Sequence, residues 1–208
     1  MTHAQLFNVW THSYHVTSAA NLASIRQSQV LWPTQTLLNR AKRRHFLRRR
    51  RTRDVLLRIE GHRILIRNQL PLDPYSLDLG ATVTLEEYVA CLNSFVYFWP
   101  GTALGPRENG VRMFERTNGA VSVVIRVSTR SLIDANRDSL TYVATCNTGA
   151  AWTEQGKRSR RGPEVFQSIE RFSEQPASIH EICFAGEVRL PEDVEYGTNP
   201  EGRWSPFF

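Results

Sequence analysis

Three short stretches carry residue types suited to work on a ribose joined to a flat heterocycle. They are His15-Val16-Thr17, Val96-Tyr97-Phe98 and Glu181-Ile182-Cys183. Each lies at the end of a segment that reads as a β-strand. A histidine and a threonine two apart on a strand face the same side, so together they can hold an amide and a ribose hydroxyl. An aromatic ring can stack on a planar heterocycle. A lone carboxylate beside them can orient a ribose hydroxyl and stabilise positive charge as a glycosidic bond breaks, which is what an oxocarbenium-like transition state demands. Spacing alone does not join the three. A strand histidine is usually a satisfied core or surface residue, a Tyr-Phe-Trp run is usually core, and a strand glutamate is usually solvated.

The elements that must position these residues can be read from pattern. Phe7 to His15 alternates loosely and is rich in β-formers, which predicts a strand ending at Tyr14-His15-Val16-Thr17. Ser18 then caps a helix through Ile25 that stops before Trp32-Pro33. Residues 36–54 read as a basic helical segment, with Leu37, Leu38, Phe46 and Leu47 as a narrow apolar stripe. Val55 to Ile66 reads as extended segments about a turn at Glu60-Gly61. Thr84 and Glu87 form a capping box for a helix to Asn93, and Phe95 to Trp99 forms a strongly apolar strand closed by Pro100-Gly101. Further strands are predicted over 119–129, 141–144 and 180–184, with 188–190 as a continuation. A short helix is predicted over 164–172, and the Pro- and Gly-rich tail, residues 191–208, is expected on the surface. This is an α+β pattern in one domain, 1–208, without internal repeats or a dividing linker.

The charge is unevenly placed. The net charge is +6, yet the first 53 residues contain no Asp or Glu and carry Lys42 and nine arginines, so the remainder is net acidic. Such asymmetry points to an anionic partner, a nucleic acid or the pyrophosphate of a dinucleotide. Charge runs normally face solvent, but they normally include acids, and Arg40 to Arg53 has none. The expected phosphate contacts are Arg43, Arg44, Arg48 and Arg51, with Arg160 and Arg161 from a second basic loop, 157–161. The three cysteines, Cys91, Cys146 and Cys183, have neither zinc spacing nor a disulfide framework, so no metal is expected. No apolar run approaches a membrane span and no secretory signal is recognisable, so a cytoplasmic location away from membranes is expected.

Several of these segments resemble the DarT-type DNA ADP-ribosyltransferase toxins. Tyr14-His15-Val16-Thr17 followed by Asn21-Leu22-Ala23-Ser24-Ile25 resembles their opening strand and helix. Phe95-Val96-Tyr97-Phe98 is similar to their central Tyr-Phe strand and to that of the poly-ADP-ribose polymerases, and Ile179-His180-Glu181-Ile182 looks like the strand of their catalytic glutamate. A group of bacterial domains related to those enzymes is similar at three more places: Arg67-Asn68-Gln69-Leu70-Pro71-Leu72, Leu92-Asn93-Ser94-Phe95-Val96-Tyr97-Phe98-Trp99 and Asn147-Thr148-Gly149. Asn68 and Tyr97 depart from the acidic residue and the phenylalanine of that group.

The resemblance implies an ADP-ribosyltransferase fold, a split mixed β-sheet core with flanking helices and NAD⁺ bound in a cleft between two sheets. It implies that His15 and Thr17 hold NAD⁺ as co-substrate, that Asn21 supports the dinucleotide, that Tyr97 stacks on the nicotinamide and that Glu181 is catalytic. A catalytic arginine is also implied, with Arg67 preferred to Arg49, Arg50, Arg51 or Arg53. The implied acceptor is DNA or RNA, the implied role a bacterial toxin or anti-phage effector, and the implied partner an antitoxin or immunity protein. A non-catalytic nucleic-acid-binding protein, an NAD⁺ glycohydrolase and a protein-modifying transferase remain alternatives. Whether His15, Tyr97 and Glu181 converge in one cleft separates the first of these from the rest.

Overall fold

The strand carrying His15 runs His12–Ser18 in the computed structural model, which describes residues 1–115, 122–152 and 156–208. One side of it pairs antiparallel with Ser122–Ser128 along its whole length, from His12↔Ser128 to Ser18↔Ser122. The other side meets Phe95–Thr102 only from His12↔Gly101 to Tyr14↔Trp99. Past Tyr14 that ladder ends. The first half of Phe95–Thr102 pairs instead with Glu181–Ala185, from Phe95↔Ala185 to Phe98↔Ile182. The sheet therefore forks, with His15–Ser18 on one arm and Phe95–Phe98 on the other.

Nine strands join this sheet among the described residues. Thr141–Ala144 and Gln167–Ser168 extend it beyond the glutamate strand, and Glu195–Gly197 and Ser205–Pro206 extend it beyond Ser122–Ser128. All these pairs are antiparallel, so the expectation of a mixed core sheet is corrected. Among the described residues, parallel pairing is confined to Ser159–Arg160 with Leu77–Asp78 and to the bridge Leu72↔Ala151. The sequence is consistent with this. Its central strand alternates between more and less buried positions, whereas parallel strands covered on both faces read as continuous apolar runs.

That alternation sends the two faces of the sheet into different cores. Val96 and Phe98, with Ile182 and Phe184 across the ladder, join the larger cluster with Ile125, Val127 and Leu132. Phe95, Tyr97 and Cys183 face the other way, onto Tyr88, Val89 and Leu92 of the helix Leu85–Asn93. That helix starts at the expected capping box, with Thr84 Oγ1 accepting from the Glu87 amide and Glu87 accepting from the Thr84 amide. By the period of two, Glu181 lies on the Tyr97 and Cys183 face, one step beyond the last residue of that core.

A third, smaller cluster forms a cap. The hairpin Val55–Ile59 and His62–Ile66 turns through Glu60 (φ 49°) and Gly61 (φ 82°), as expected for that dipeptide. Two positive φ values define the turn whose twist matches a hairpin's strands. Leu57, Ile59, Ile64 and Ile66 bury against Leu38 of the helix Thr34–Arg40. The predicted basic helix over 36–54 is corrected to this one short helix and a 3₁₀ turn at Arg44–Phe46. Lys42 adopts a left-handed φ of 55°, and the Arg43 amide reaches back to the Leu38 carbonyl at 2.8 Å. A run of like charges offers a helix no stabilising i,i+4 pairs and repels itself.

Three further expectations change. Residues 7–9, expected to begin the first strand, instead end the helix His3–Val9, which is started by a capping box between Thr2 and Gln5 and anchored by buried Leu6. The segment 164–172 is no α-helix; 3₁₀ turns at Pro163–Val165 and Ile169–Arg171 flank the edge strand Gln167–Ser168. The tail is built in rather than wrapped around. Glu195–Gly197 pairs with the sheet, and Val194 and Phe207 are buried in its main core. The strand predicted over 119–129 is present as Ser122–Ser128; its expected first residues, 119–121, lie outside the described residues.

Candidate functional site

The fork in the sheet opens into a cleft of about 320 Å³. His15, Thr17 and Asn21 line it from one arm, Tyr97 and Glu181 from the other, and Arg67 from the loop after the hairpin. Six residues expected from separate segments to act on one ligand therefore share one cavity.

His15 stands where the ladder ends. Its Nδ1 lies 2.9 Å from the Tyr97 carbonyl oxygen, bridging the two arms in place of the missing backbone pair. A carbonyl only accepts, so Nδ1 carries the hydrogen. Burial pushes the imidazole down to about 4, and the nearby Arg67 charge adds to this, against the Tyr97 bond. The ring is therefore neutral at pH 7, and Nε2 presents a lone pair. Phe98 packs against the ring at 5.5 Å between centroids.

Asn21 is committed to the protein. Its Nδ2 donates to Thr17 Oγ1 (2.9 Å) and the Leu65 carbonyl (3.0 Å), and its Oδ1 accepts from the Leu65 amide (2.7 Å). Both amide hydrogens are used, so Asn21 has none to donate to a dinucleotide. The structure makes it a brace that fastens the cap hairpin to the first strand. Thr17, buried, accepts from Asn21, and among the described residues its own hydroxyl hydrogen has no acceptor.

Glu181 is buried at the start of its strand. Oε2 accepts from the Thr148 amide (3.0 Å) and the Thr148 hydroxyl (2.7 Å). Among the described residues Oε1 has no bond. Burial pushes the carboxyl up to about 7, against the two Thr148 bonds and the Arg161 charge, which pull it down. Tyr97 donates its hydroxyl to the Leu92 carbonyl at 2.9 Å, and burial holds that phenol well above its ordinary range. Its ring, half-buried, also lines the cleft.

Arg67 supplies the most pointed feature. Its Nη1 is buried with no hydrogen-bond partner among the described residues. Burial lowers its pKa, against the Asp54 charge. An unmet donor on a charged group costs on the order of 1–3 kcal/mol or more, so a further acceptor at this position would be stabilising.

Two arginines expected to contact nucleic acid are not surface residues. Arg51 is 5% exposed and lines the cleft, donating through Nε to the Arg67 carbonyl (3.1 Å) and through Nη1 to Asn93 Oδ1 (2.9 Å). Burial lowers it to about 10. Arg161 is 6% exposed and donates to the carbonyls of Ala150 and Arg160. Each guanidinium is held inwards by protein acceptors, Arg51 by a backbone carbonyl and Asn93, Arg161 by two backbone carbonyls. Arg43, Arg44 and Arg48 are exposed as expected, and Arg160 is exposed but paired with Asp78 and Glu164. Lys157 and Arg158 of the basic loop 157–161 line a separate hollow, and no residue of that loop lines the cleft.

Thr148, Asn93 and Trp32 also line the cleft, and sequence reasoning gave them no role. The Asn147-Thr148-Gly149 and Leu92-Asn93 segments were visible as motifs. Nothing in the spacing said that Thr148 would hold Glu181 or that Asn93 would hold Arg51.

A family model described as a family of unknown function (DUF7002) matches residues 11–194, so the chain belongs to that family. No curated protein matches, and no solved structure matches. All the site residues named above lie inside the matched span.

Proposed function

We propose that this DUF7002 chain is an ADP-ribosyltransferase, which breaks the nicotinamide–ribose bond of NAD⁺ and joins the ADP-ribose to a nucleic acid. The observation that carries the reading is the convergence of His15, Tyr97 and Glu181, with the unpartnered Arg67 Nη1, in one cleft at the fork of the sheet. A purely structural strand histidine, strand tyrosine and strand glutamate have no reason to meet around an unmet guanidinium. The forked sheet and the flanking helices suit the ADP-ribosyltransferase fold, and the exposed arginines of the cap suit a polyanionic acceptor.

The cleft's chemistry fits NAD⁺ residue by residue. NAD⁺ brings an ADP-ribosyl group joined to a cationic leaving group. Tyr97 offers a ring face to the nicotinamide, and the cationic heterocycle favours an aromatic partner. His15 Nε2 accepts from a ribose hydroxyl or the amide, and Thr17 donates its hydroxyl. Arg67 Nη1 donates to a phosphate or carbonyl oxygen. Glu181, fixed at Oε2 by Thr148, faces the ribose with Oε1. Ionised, it stabilises the positive charge that develops on the sugar and accepts the proton of the attacking acceptor group. No step in this chemistry calls for a metal.

The decisive experiment incubates the protein with labelled NAD⁺ and, separately, single-stranded DNA, RNA, duplex DNA and cell protein, with Glu181→Ala alongside. Label on one polymer, lost by ~100-fold or more in the variant, supports the reading and identifies the acceptor. Nicotinamide release without transfer would make the chain a glycohydrolase, and label on protein would make it a protein-modifying transferase. If NAD⁺ is neither bound nor consumed, the proposal fails and the exposed arginines belong to a binding module. A toxic role, restrained by an antitoxin or immunity protein, is part of the same proposal. It requires bacteria expressing the wild type to grow more slowly than those expressing Glu181→Ala.

A further inference from the structure

Trp32 lines the cleft from the cap, next to Thr34 and Leu37, whereas Tyr97 and Glu181 line it from the sheet. Its indole is half-buried, and one face is already covered. The Arg40 guanidinium lies 4.3 Å from the ring centroid, and Glu60 of the hairpin turn holds Arg40 there through an ion pair of 2.6 Å. A cation against one face restricts the indole, so stacking on its other face orders less than it would on an unbacked ring.

A dinucleotide has two flat rings at its two ends. Tyr97 shares a face of the sheet with Glu181 on the neighbouring strand, so its ring belongs to the heterocycle at the reacting ribose. The second ring needs a second aromatic surface, on the other wall of the cavity. Trp99 does not provide one. It lines the cleft too, but from the same strand as Tyr97 and so not from the other wall, and Gly110 packs so close to it that a Cβ there would lie 2.9 Å from the indole.

We infer that Trp32 is the stacking platform for the adenine ring of NAD⁺, and that it sets the specificity of the cleft for adenine dinucleotides. The inference rests on the NAD⁺ reading above, but it concerns the half of the ligand that does not react. The test is calorimetric titration of the wild type, Trp32→Ala and Trp32→Phe with NAD⁺, ADP-ribose, AMP and nicotinamide mononucleotide, each variant first shown to melt as the wild type does.

Trp32→Ala should weaken NAD⁺, ADP-ribose and AMP alike, by roughly 5- to 150-fold, and leave nicotinamide mononucleotide unchanged. Trp32→Phe should recover most of the loss. Equal weakening of AMP and nicotinamide mononucleotide, or no weakening of AMP, would overturn the assignment. The two readings fail separately. A wild type that cleaves NAD⁺ but shows no AMP binding sinks the platform alone. A wild type that binds AMP through Trp32 but never releases nicotinamide leaves the platform standing and sinks the transferase.

Discussion

Glu181 combines burial with one firmly held oxygen and one that is unbonded among the described residues, and its titration is the property that can be measured. Its carboxyl is raised from 4.5 to about 7 by burial. The folded chain therefore binds this proton more tightly than the unfolded chain. Between those two values the folded state keeps the proton and the unfolded state has lost it, so stability falls as pH rises, and the full cost is present above the folded value. Glu181→Gln removes the buried charge. The variant should gain stability over the wild type at pH 8 by on the order of 3 kcal/mol, and by little at pH 4. Chemical denaturation at the two pH values checks this; equal differences at both would show that Glu181 is not held near neutrality. If the ionised form is the working one, wild-type transfer should rise through pH 7. His15, whose raised neutral fraction comes from burial, contributes no titration of its own there.

At the scale of elements, the cap is joined to the sheet by polar clamps as well as by packing. Asn21 holds Leu65 by both backbone groups, as a neighbouring strand would, and Arg51 ties the Arg67 loop to Asn93 at the end of the capped helix. Gln69 and Arg51 are further zipped through the Arg51 carbonyl (2.7 Å) and amide (3.1 Å). Asn21→Ala leaves the Leu65 amide and carbonyl without partners at the cleft wall. The expected loss is about 2 kcal/mol of stability, together with faster amide exchange at Leu65 and along the hairpin while the Phe95–Thr102 strand stays protected. Exchange that rises everywhere by the same factor would mean that the cap and sheet open as one unit and that the clamp is not local.

At the scale of the whole molecule, the basic first quarter of the chain splits into two populations. Arg43, Arg44 and Arg48 face solvent, while Arg51 turns into the cleft. The two should behave differently with a polyanion. Replacing Arg43, Arg44 and Arg48 together by Ala should lower the slope of log affinity against log salt for duplex DNA by about 3. Arg51→Ala should leave that slope alone and cost stability, since it strands Asn93 and the Arg67 carbonyl. An unchanged slope in the triple variant would place the nucleic-acid contact elsewhere.

The sequence by itself determined the local units. The capping box at Thr84 and Glu87, the Glu60-Gly61 turn and the strand at Phe95 all follow from residue choices within a few positions, where backbone preference and side-chain period act directly. It also marked His15, Thr17, Tyr97, Arg67 and Glu181 through short motifs. Only the tertiary structure decided that these meet, because the meeting depends on where one ladder stops and another begins, between strands some 80 residues apart. It alone decided which arginine of a uniform run turns inwards: Arg50 bonds the Gln69 and Leu70 carbonyls and stays partly exposed, whereas Arg51 also meets the buried Asn93. It alone turned Asn21 from a candidate ligand contact into a clamp, because a side-chain amide is claimed by whichever unpaired backbone lies within reach.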